Sequence, residues 1–450
     1  MMKRKIYSTL LNWKQSRAGE TALMIEGARR VGKSYIVEEF AKNEYDSYIL
    51  VDFNNVDDEM QEIFDKYLTD LDQFFRLLQL KTGVKLIERR SLIIFDEIQL
   101  YPRARAAIKY LVKDHRYDYI ETGSLVSIRK KSKGFVIPSE ENAVEMFPMD
   151  FEEFLWALGE DMLMPYIQEC FEKKTPVGVL HRKISELLRL YMIVGGMPQA
   201  VDKYVKTQDF DRVDEVKRDI INLYKNDIHQ YADTVEMRAA AIFDSIPGQL
   251  QRHKRKFRLS ELSSNARMRE YELAFTWLSL ARVVNLCFNT TEPSIGLKLN
   301  EERTTLKCYM ADTGLLISHA FDERGLVTEE IYKKLLLGKL ETNKGMIVEN
   351  LVAQMLRTSG HALYFFSQND NHDAANRMEI DFLIAKSKIT SRHNISPIEV
   401  KSGKNFTRTS LNKCIRKYAN FLATPYILYD GDIKEEDGIL YLPLYMTPLL

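Results

Sequence analysis

Gly27-Ala28-Arg29-Arg30-Val31-Gly32-Lys33-Ser34 follows directly on the apolar, strand-like run from Thr21 to Ile25. The spacing is G-x-x-x-x-G-K-[ST], that of a phosphate-binding loop opening a helix. The glycines let the backbone wrap a triphosphate, so that N–H groups from Gly27 through Ala28, Arg29, Arg30 and Val31 to Gly32 point at its oxygens. Lys33 then reaches the β/γ-phosphates and Ser34 offers a hydroxyl to Mg²⁺. The helix expected from Lys33 to Lys42 adds its positive dipole end.

Further along the chain, Leu92-Ile93-Ile94-Phe95-Asp96-Glu97 reads as a buried parallel strand that delivers two carboxylates at its C-terminal end. Ligands of open α/β sheets lie at that edge. Asp96 is expected to hold Mg²⁺ through water, and Glu97 to polarise the water attacking the γ-phosphate. A carboxylate beside the metal residue favours ATP hydrolysis over transfer to a second substrate, which weakens a kinase reading. Tyr48 to Phe53 and Tyr117 to Glu121 read as further strands, and Leu71 to Leu80 and Ala104 to Lys113 as helices. The Thr122-Gly123-Ser124 turn offers Thr122 or Ser124 as a γ-phosphate sensor, with a simple strand-ending turn as the alternative. Strand and helix alternating in this order predict an α/β fold with a parallel doubly wound sheet.

These motifs, with Phe147-Pro148-Met149-Asp150-Phe151-Glu152-Glu153-Phe154 and Val194-Gly195-Gly196-Met197-Pro198, resemble the prokaryotic AAA-type ATPases that carry a C-terminal domain of unknown function. The resemblance spans nearly the whole chain. It implies an ATP hydrolase with ATP and Mg²⁺ as cofactors. Many relatives have a Gly-Arg pair where this chain reads Val136-Ile137-Pro138-Ser139-Glu140-Glu141. That departure leaves Arg103, Arg105 and Arg129 as unranked arginine-finger candidates and weakens the inference of an oligomer.

Residues 151–235 are mostly of helical period and are expected to form a lid, after a core at 1–150. Gly195-Gly196 followed by Pro198 marks a tight turn. Within 236–325, Phe257 to Leu262 and Arg269 to Leu280 read as helices. Val283 to Cys287, Ile295 to Leu299 and Leu306 to Met310 read as strands, together a winged-helix-like unit. Such units put a helix in a DNA groove or serve as protein spacers. The basic runs 129–133 and 252–258 suit either a solvated loop or a phosphate contact.

In 326–450, Glu349 lies in the helix-like Gly345 to Arg357, followed by Glu379-Ile380-Asp381-Phe382 and Ile398-Glu399-Val400-Lys401. The later two segments alternate as a hairpin would, with Glu399 and Lys401 on one face and Asp381 on the neighbouring strand. The helix-like Leu411 to Leu422 follows. The set resembles the PD-(D/E)xK nuclease fold of restriction endonucleases, nearest its Holliday-junction-resolvase branch. The resemblance implies Asp381 and Glu399 as metal ligands, Glu349 as a further ligand, Glu379 as a weaker one, and Lys401 as catalytic base or water positioner. Mg²⁺ or Mn²⁺ would be the ion. A cross-strand salt bridge is the plain alternative.

Lysine plus arginine and aspartate plus glutamate each number 64 among 450 residues, so no whole-molecule attraction to nucleic acid or anionic membrane is expected. Cys170, Cys287, Cys308 and Cys414 are far apart, which suggests neither zinc nor a disulfide framework. Leu273 to Phe288, the longest apolar stretch, is broken by Arg282 and too short for a bilayer. No signal peptide is read at the N-terminus, and a cytoplasmic protein is expected. The reading is a Mg-ATPase coupled to a nuclease-like domain acting on DNA or branched nucleic acid. The alternative is an ATP-driven switch for a protein or DNA partner, its C-terminal centre silent.

Overall fold

The computed structural model describes residues 2–123, 139–232, 235–252, 255–294, 296–321, 332, 334, 344–369, 373, 376–385, 393–403 and 406–450. The chain divides into two compact units, Met1–Phe147 and Pro148–Leu450.

The first unit is built on β1 (Ala22–Gly27), β2 (Ser47–Asp52), β3 (Ser91–Asp96), β4 (Asp118–Gly123) and β5 (Glu141–Met146). They form a parallel sheet in the order β2-β3-β4-β1-β5. Every residue of β3 and β4 is buried, which is why their sequences run apolar without alternation. Around the sheet lie α1 (Ile6–Ser16), α2 (Lys33–Glu44), α3 (Asp58–Lys66), α4 (Leu71–Thr82) and α5 (Pro102–Lys113). Asp57 and Asp70 cap α3 and α4 by accepting from the amides of Met60 and Gln73. Pro102 opens α5, where a missing N–H costs nothing. Phe53, Phe64, Phe74 and Phe95 pack between α3, α4 and the sheet, their rings meeting mostly edge to face. Because β4 stands between β1 and β3, the ends of all three strands emerge side by side.

The second unit opens with α6 (Phe151–Ala157), started by a reciprocal capping box between Asp150 and Glu153. It continues through α7 (Leu163–Lys173), α8 (His181–Val194), α9 (Pro198–Thr207), α10 (Phe210–Tyr231), α11 (Glu236–Gln251) and α12 (Met268–Leu280). Then come β6 (Val284–Thr290), β7 (Glu301–Met310), α13 (Thr313–Ala320), α14 (Lys344–Thr358), β8 (Tyr364–Gln368), β9 (Met378–Ala385) and β10 (Ile395–Val400). The chain closes with α15 (Thr409–Tyr418), β11 (Tyr426–Tyr429), β12 (Lys434–Glu436) and β13 (Ile439–Pro443).

Among the described residues these strands form one eight-stranded sheet, β12-β13-β11-β10-β9-β8-β6-β7. β6 and β7 pair antiparallel as a wing would, but β6 also pairs in parallel with β8, at Phe288 with Tyr364. Strands from the segment expected as a winged helix therefore continue the sheet of the C-terminal segment. The strand expected at Ile295–Leu299 is corrected. Ile295 lies outside the described residues, and Gly296, at φ +80°, turns the chain into a 3-10 turn over Leu297–Asn300. The helix expected over Phe257–Leu262 is likewise only a 3-10 turn, Leu259–Glu261.

The Gly195-Gly196 turn owes its sequence to close packing. Gly195 has φ +82°, and a Cβ on Gly196 would overlap the Met149 carbonyl, whose own amide donates to Gly196 O at 2.6 Å. Buried Asp312 caps α13 through Leu315 N and accepts from Gly196 N at 2.6 Å.

Candidate functional site

The loop between β1 and α2 takes the conformation its glycines allow. Gly32 has φ +94° and Arg30 φ +70°, so the backbone turns back on itself before entering α2. A Cβ on Gly27 would strike the Met146 carbonyl of β5. Arg4 pins the loop from outside: its guanidinium donates to Val31 O at 2.9 Å and to Phe147 O at 2.7 Å. Lys33 is buried, and its ammonium donates to Gly27 O and Ala28 O at 3.1 and 3.0 Å. Ala28 and Val31 are buried, whereas Arg29 and Arg30 are exposed.

Asp96, at the end of β3, collects hydroxyls. Its Oδ1 accepts from Ser34 Oγ at 2.9 Å and from Thr122 Oγ1 at the end of β4. Thr122 Oγ1 also accepts from Glu97 N at 3.2 Å. Glu97 itself has φ +54°, in the left-handed region. Its Oε2 accepts from the side-chain amide of Gln99, which is buried. Gly123 leaves room for that amide, since a Cβ there would overlap Gln99 Oε1. The donor set fits a magnesium nucleotide: a hydroxyl, a carboxylate and a lysine at the opening of a helix, with a second carboxylate beside them.

Sequence reasoning missed Gln99, whose only signal was its place two residues after Glu97. Ser124 and Arg129 lie outside the described residues. Arg103 is exposed, 3.4 Å from Asp65, and Arg105 is buried in a bidentate pair with Glu141 at 3.1 and 2.8 Å. Arg105 is thus engaged inside its own unit.

In the second unit, β9 and β10 form the expected antiparallel hairpin, with Phe382 opposite Ile398. Asp381 Oδ2 accepts from Val400 N at 2.9 Å. Glu399 is buried, and its Oε1 accepts from Leu411 N in the first turn of α15 at 2.9 Å, while Oε2 lies 2.5 Å from Lys401 Nζ.

What the sequence did not reveal is Lys307. This buried lysine of β7 places Nζ 3.1 Å from Glu349 Oε1, 3.6 Å from Glu379 Oε1 and 3.8 Å from Asp381 Oδ1. Tyr309 OH donates to Glu349 Oε1 at 2.6 Å, and Arg255 pairs with Glu349 Oε2. Burial opposes the charge on Glu349, but Lys307 and Arg255 outweigh it and hold the carboxyl below its ordinary value. Burial likewise opposes the charge on Lys307, and Glu349, Asp381 and Glu379 hold its ammonium above the ordinary value. Asp381 is pushed up to about 6, first by burial and then by Glu349. Among the described residues no group of three or more histidine, cysteine or acidic side chains is arranged to hold a metal ion.

The basic run at 252–258 is turned partly inward: Arg252 pairs with Glu261, Arg255 with Glu349, and Lys256 donates to Ser367 Oγ at 2.6 Å. His253 and Lys254, like the run 129–133, lie outside the described residues. All four cysteines are buried and free. No helix among the described residues is long and apolar enough to cross a membrane.

Comparison with known proteins gives three matched stretches along the chain. Residues 19–155 match the model of an AAA domain. Residues 185–324 and 344–446 match two domains of unknown function, DUF8612 and DUF4143. No curated protein matches the chain. Among solved structures, the Orc1 protein of Aeropyrum pernix in complex with DNA aligns at 10% identity and a TM-score of 0.28, covering 71% of this chain and 93% of that one. Cdc6p of Pyrobaculum aerophilum aligns at 10% identity and 0.25, covering 74% and 92%. Scores so low carry no argument about arrangement or partners. The loop, the paired carboxylates and the matched domain model together make residues 19–155 a P-loop ATPase domain of the AAA type.

Proposed function

We propose that the chain is an ATP-driven switch. Residues 1–147 hydrolyse ATP, and residues 148–450 bind a protein or DNA partner without cutting it. The observation that carries the ATPase half is the meeting of Ser34, Thr122 and Asp96 at one carboxylate oxygen, with Glu97 next in sequence. Lys33 would hold the β/γ-phosphates, Ser34 and Asp96 would hold Mg²⁺, and Thr122 would report the γ-phosphate to β4. Mg²⁺ supplies charge neutralisation on the phosphates. Glu97 would take the proton of the attacking water as the bond from the γ-phosphorus to the bridging oxygen breaks and ADP leaves.

The silent character of the C-terminal centre is supported by Lys307 and Arg255 among its carboxylates. The nuclease reading keeps one observation on its side, the Glu399–Lys401 pair beside Asp381 on the neighbouring strand.

The test is phosphate release together with cleavage of duplex, single-stranded and four-way-junction DNA in Mg²⁺ or Mn²⁺, with and without ATP. ATP hydrolysis lost in Lys33→Ala, with nucleotide-dependent binding of DNA and no cleavage, supports the switch. Cleavage lost in Asp381→Ala establishes a nuclease instead. A chain without ATPase activity overturns both.

A further inference from the structure

The carboxylates that gather on Lys307 come from two elements, Glu349 on α14 and Glu379 with Asp381 on β9. Carboxylate oxygens are the ligands a hard divalent cation prefers, although as they stand with Lys307 in place these side chains form no metal-holding group. The position near all three carboxylates is taken by a side chain of the protein itself. Lys307 reaches in from β7, buried, with its nitrogen 3.1 to 3.8 Å from one oxygen of each carboxylate. Arg255 neutralises the far oxygen of Glu349 and Tyr309 donates to the near one. An ammonium and a divalent ion cannot share that point, because both need the same carboxylate oxygens and the same space, and their charges repel in a buried setting.

We infer that Lys307 is the resident cation of this centre, standing where a divalent ion would bind and closing the site to metal. The inference rests on the reading of the C-terminal centre as non-cleaving and supplies its cause. It explains why a constellation resembling a metal-dependent nuclease is tied up in ion pairs with β7: the ammonium that excludes metal also joins β7 to α14 and β9. Lys401 cannot serve the same end, since its ammonium lies against Glu399, the carboxylate fixed to the start of α15. Removing the Lys307 charge leaves Glu349 paired with Arg255 and takes from Glu379 and Asp381 the ion pair each makes with β7, and truncation to alanine also opens room for an ion.

The experiment measures Mn²⁺ binding to the full chain without nucleotide, by electron paramagnetic resonance. It compares the wild type with Asp381→Asn, Lys307→Ala and Lys307→Ala/Asp381→Asn. Binding to Ser34 and Asp96 is common to all four and cancels. The expected result is no Asp381-dependent site in the wild type up to about 1 mM Mn²⁺, and one gained in Lys307→Ala with a Kd at least tenfold lower than that limit. The double variant should lose it again. An Asp381-dependent site in the wild type overturns the inference, and does so even if Lys307→Ala fails to fold. A folded Lys307→Ala chain that gains no site also overturns it. Cleavage assays on the same samples separate the two readings: wild-type Mn²⁺ binding without cleavage removes only the resident cation, whereas binding with cleavage removes the silent centre as well.

Discussion

Ser34 Oγ lies 2.9 Å from Asp96 Oδ1, although 62 residues separate them. The hydroxyl comes from the first turn of α2 and the carboxylate from the end of β3. Their meeting is the place the proposed function gives to a magnesium ion, and Glu97 is by sequence the next group along. Glu97→Gln keeps the shape and the Gln99 contact but removes the base. Turnover should fall at least about 100-fold, the usual weight of general base catalysis, with nucleotide affinity little changed. Phosphate release and a fluorescent-nucleotide titration check this, and equal losses in both would assign Glu97 to binding instead.

The Gln99 amide on Glu97 orients that carboxylate. Gly123→Ala places a methyl against Gln99 Oε1, the far end of a flexible side chain, so the fold should absorb it while the amide moves. The expected outcome is a melting temperature within a few degrees of wild type and a kcat reduced about tenfold or more, since misplacing a reacting group by an ångström is that costly. An unchanged kcat would mean that the amide does not position Glu97.

Gly196→Ala meets backbone rather than a mobile side chain, because the Met149 carbonyl occupies the space. Neither that carbonyl nor the Asp312 bond to Gly196 N can move without disturbing the start of α6 or of α13. A loss of roughly 2–4 kcal/mol is expected, read as the urea midpoint of the second unit. Gly248, where a Cβ meets nothing, serves as the control for a methyl added without such a contact.

Lys217 gives the second unit a pH signature. Its ammonium is buried, donates to Ile193 O at 2.8 Å and lies 4.0 Å from Asp214 Oδ1, and burial pulls it down to about 8 from 10.5. Between those values the unfolded chain binds the proton and the folded chain does not, so stability from this group rises with pH across the window from 8 to 10.5. Below pH 8 both states are charged and the burial penalty is constant. The rise amounts to at most about 3 kcal/mol. Lys217→Met should flatten it, and the difference between the two unfolding profiles isolates the lysine from tyrosines titrating nearby. Identical slopes would show that Lys217 is already neutral or fully paired.

The first unit was legible because its signals are local. The glycine pair with its lysine is one short motif and the unbroken apolar strand with two carboxylates at its end is another, each legible within a few residues, and the parallel sheet follows from their order. The second unit was read element by element but not in its connections. Lys307 was hidden in an apolar strand between Leu306 and Cys308, where a lone lysine was the available signal, and its partners lie 42 to 74 residues away. Arg255 sat in a basic run that looked like surface. Gly296 was read as part of a strand because periodicity does not reveal a left-handed residue. The pairing of β6 with β8 joins residues 76 apart, as Phe288 and Tyr364 are, which no periodicity within either strand can announce.

That pairing limits how this protein can be cut or inherited. β6 lies between β7 and β8, so ending the chain before α14 would expose an unpaired edge along Phe288, Asn289 and Thr290, and beginning it there would leave β8 with the complementary one. The residues matching the two domains of unknown function therefore belong to a single folding unit. A gene fusion or truncation that treats the boundary between them as a seam should yield sticky halves, and the two stretches are expected to travel together through evolution as one heritable piece.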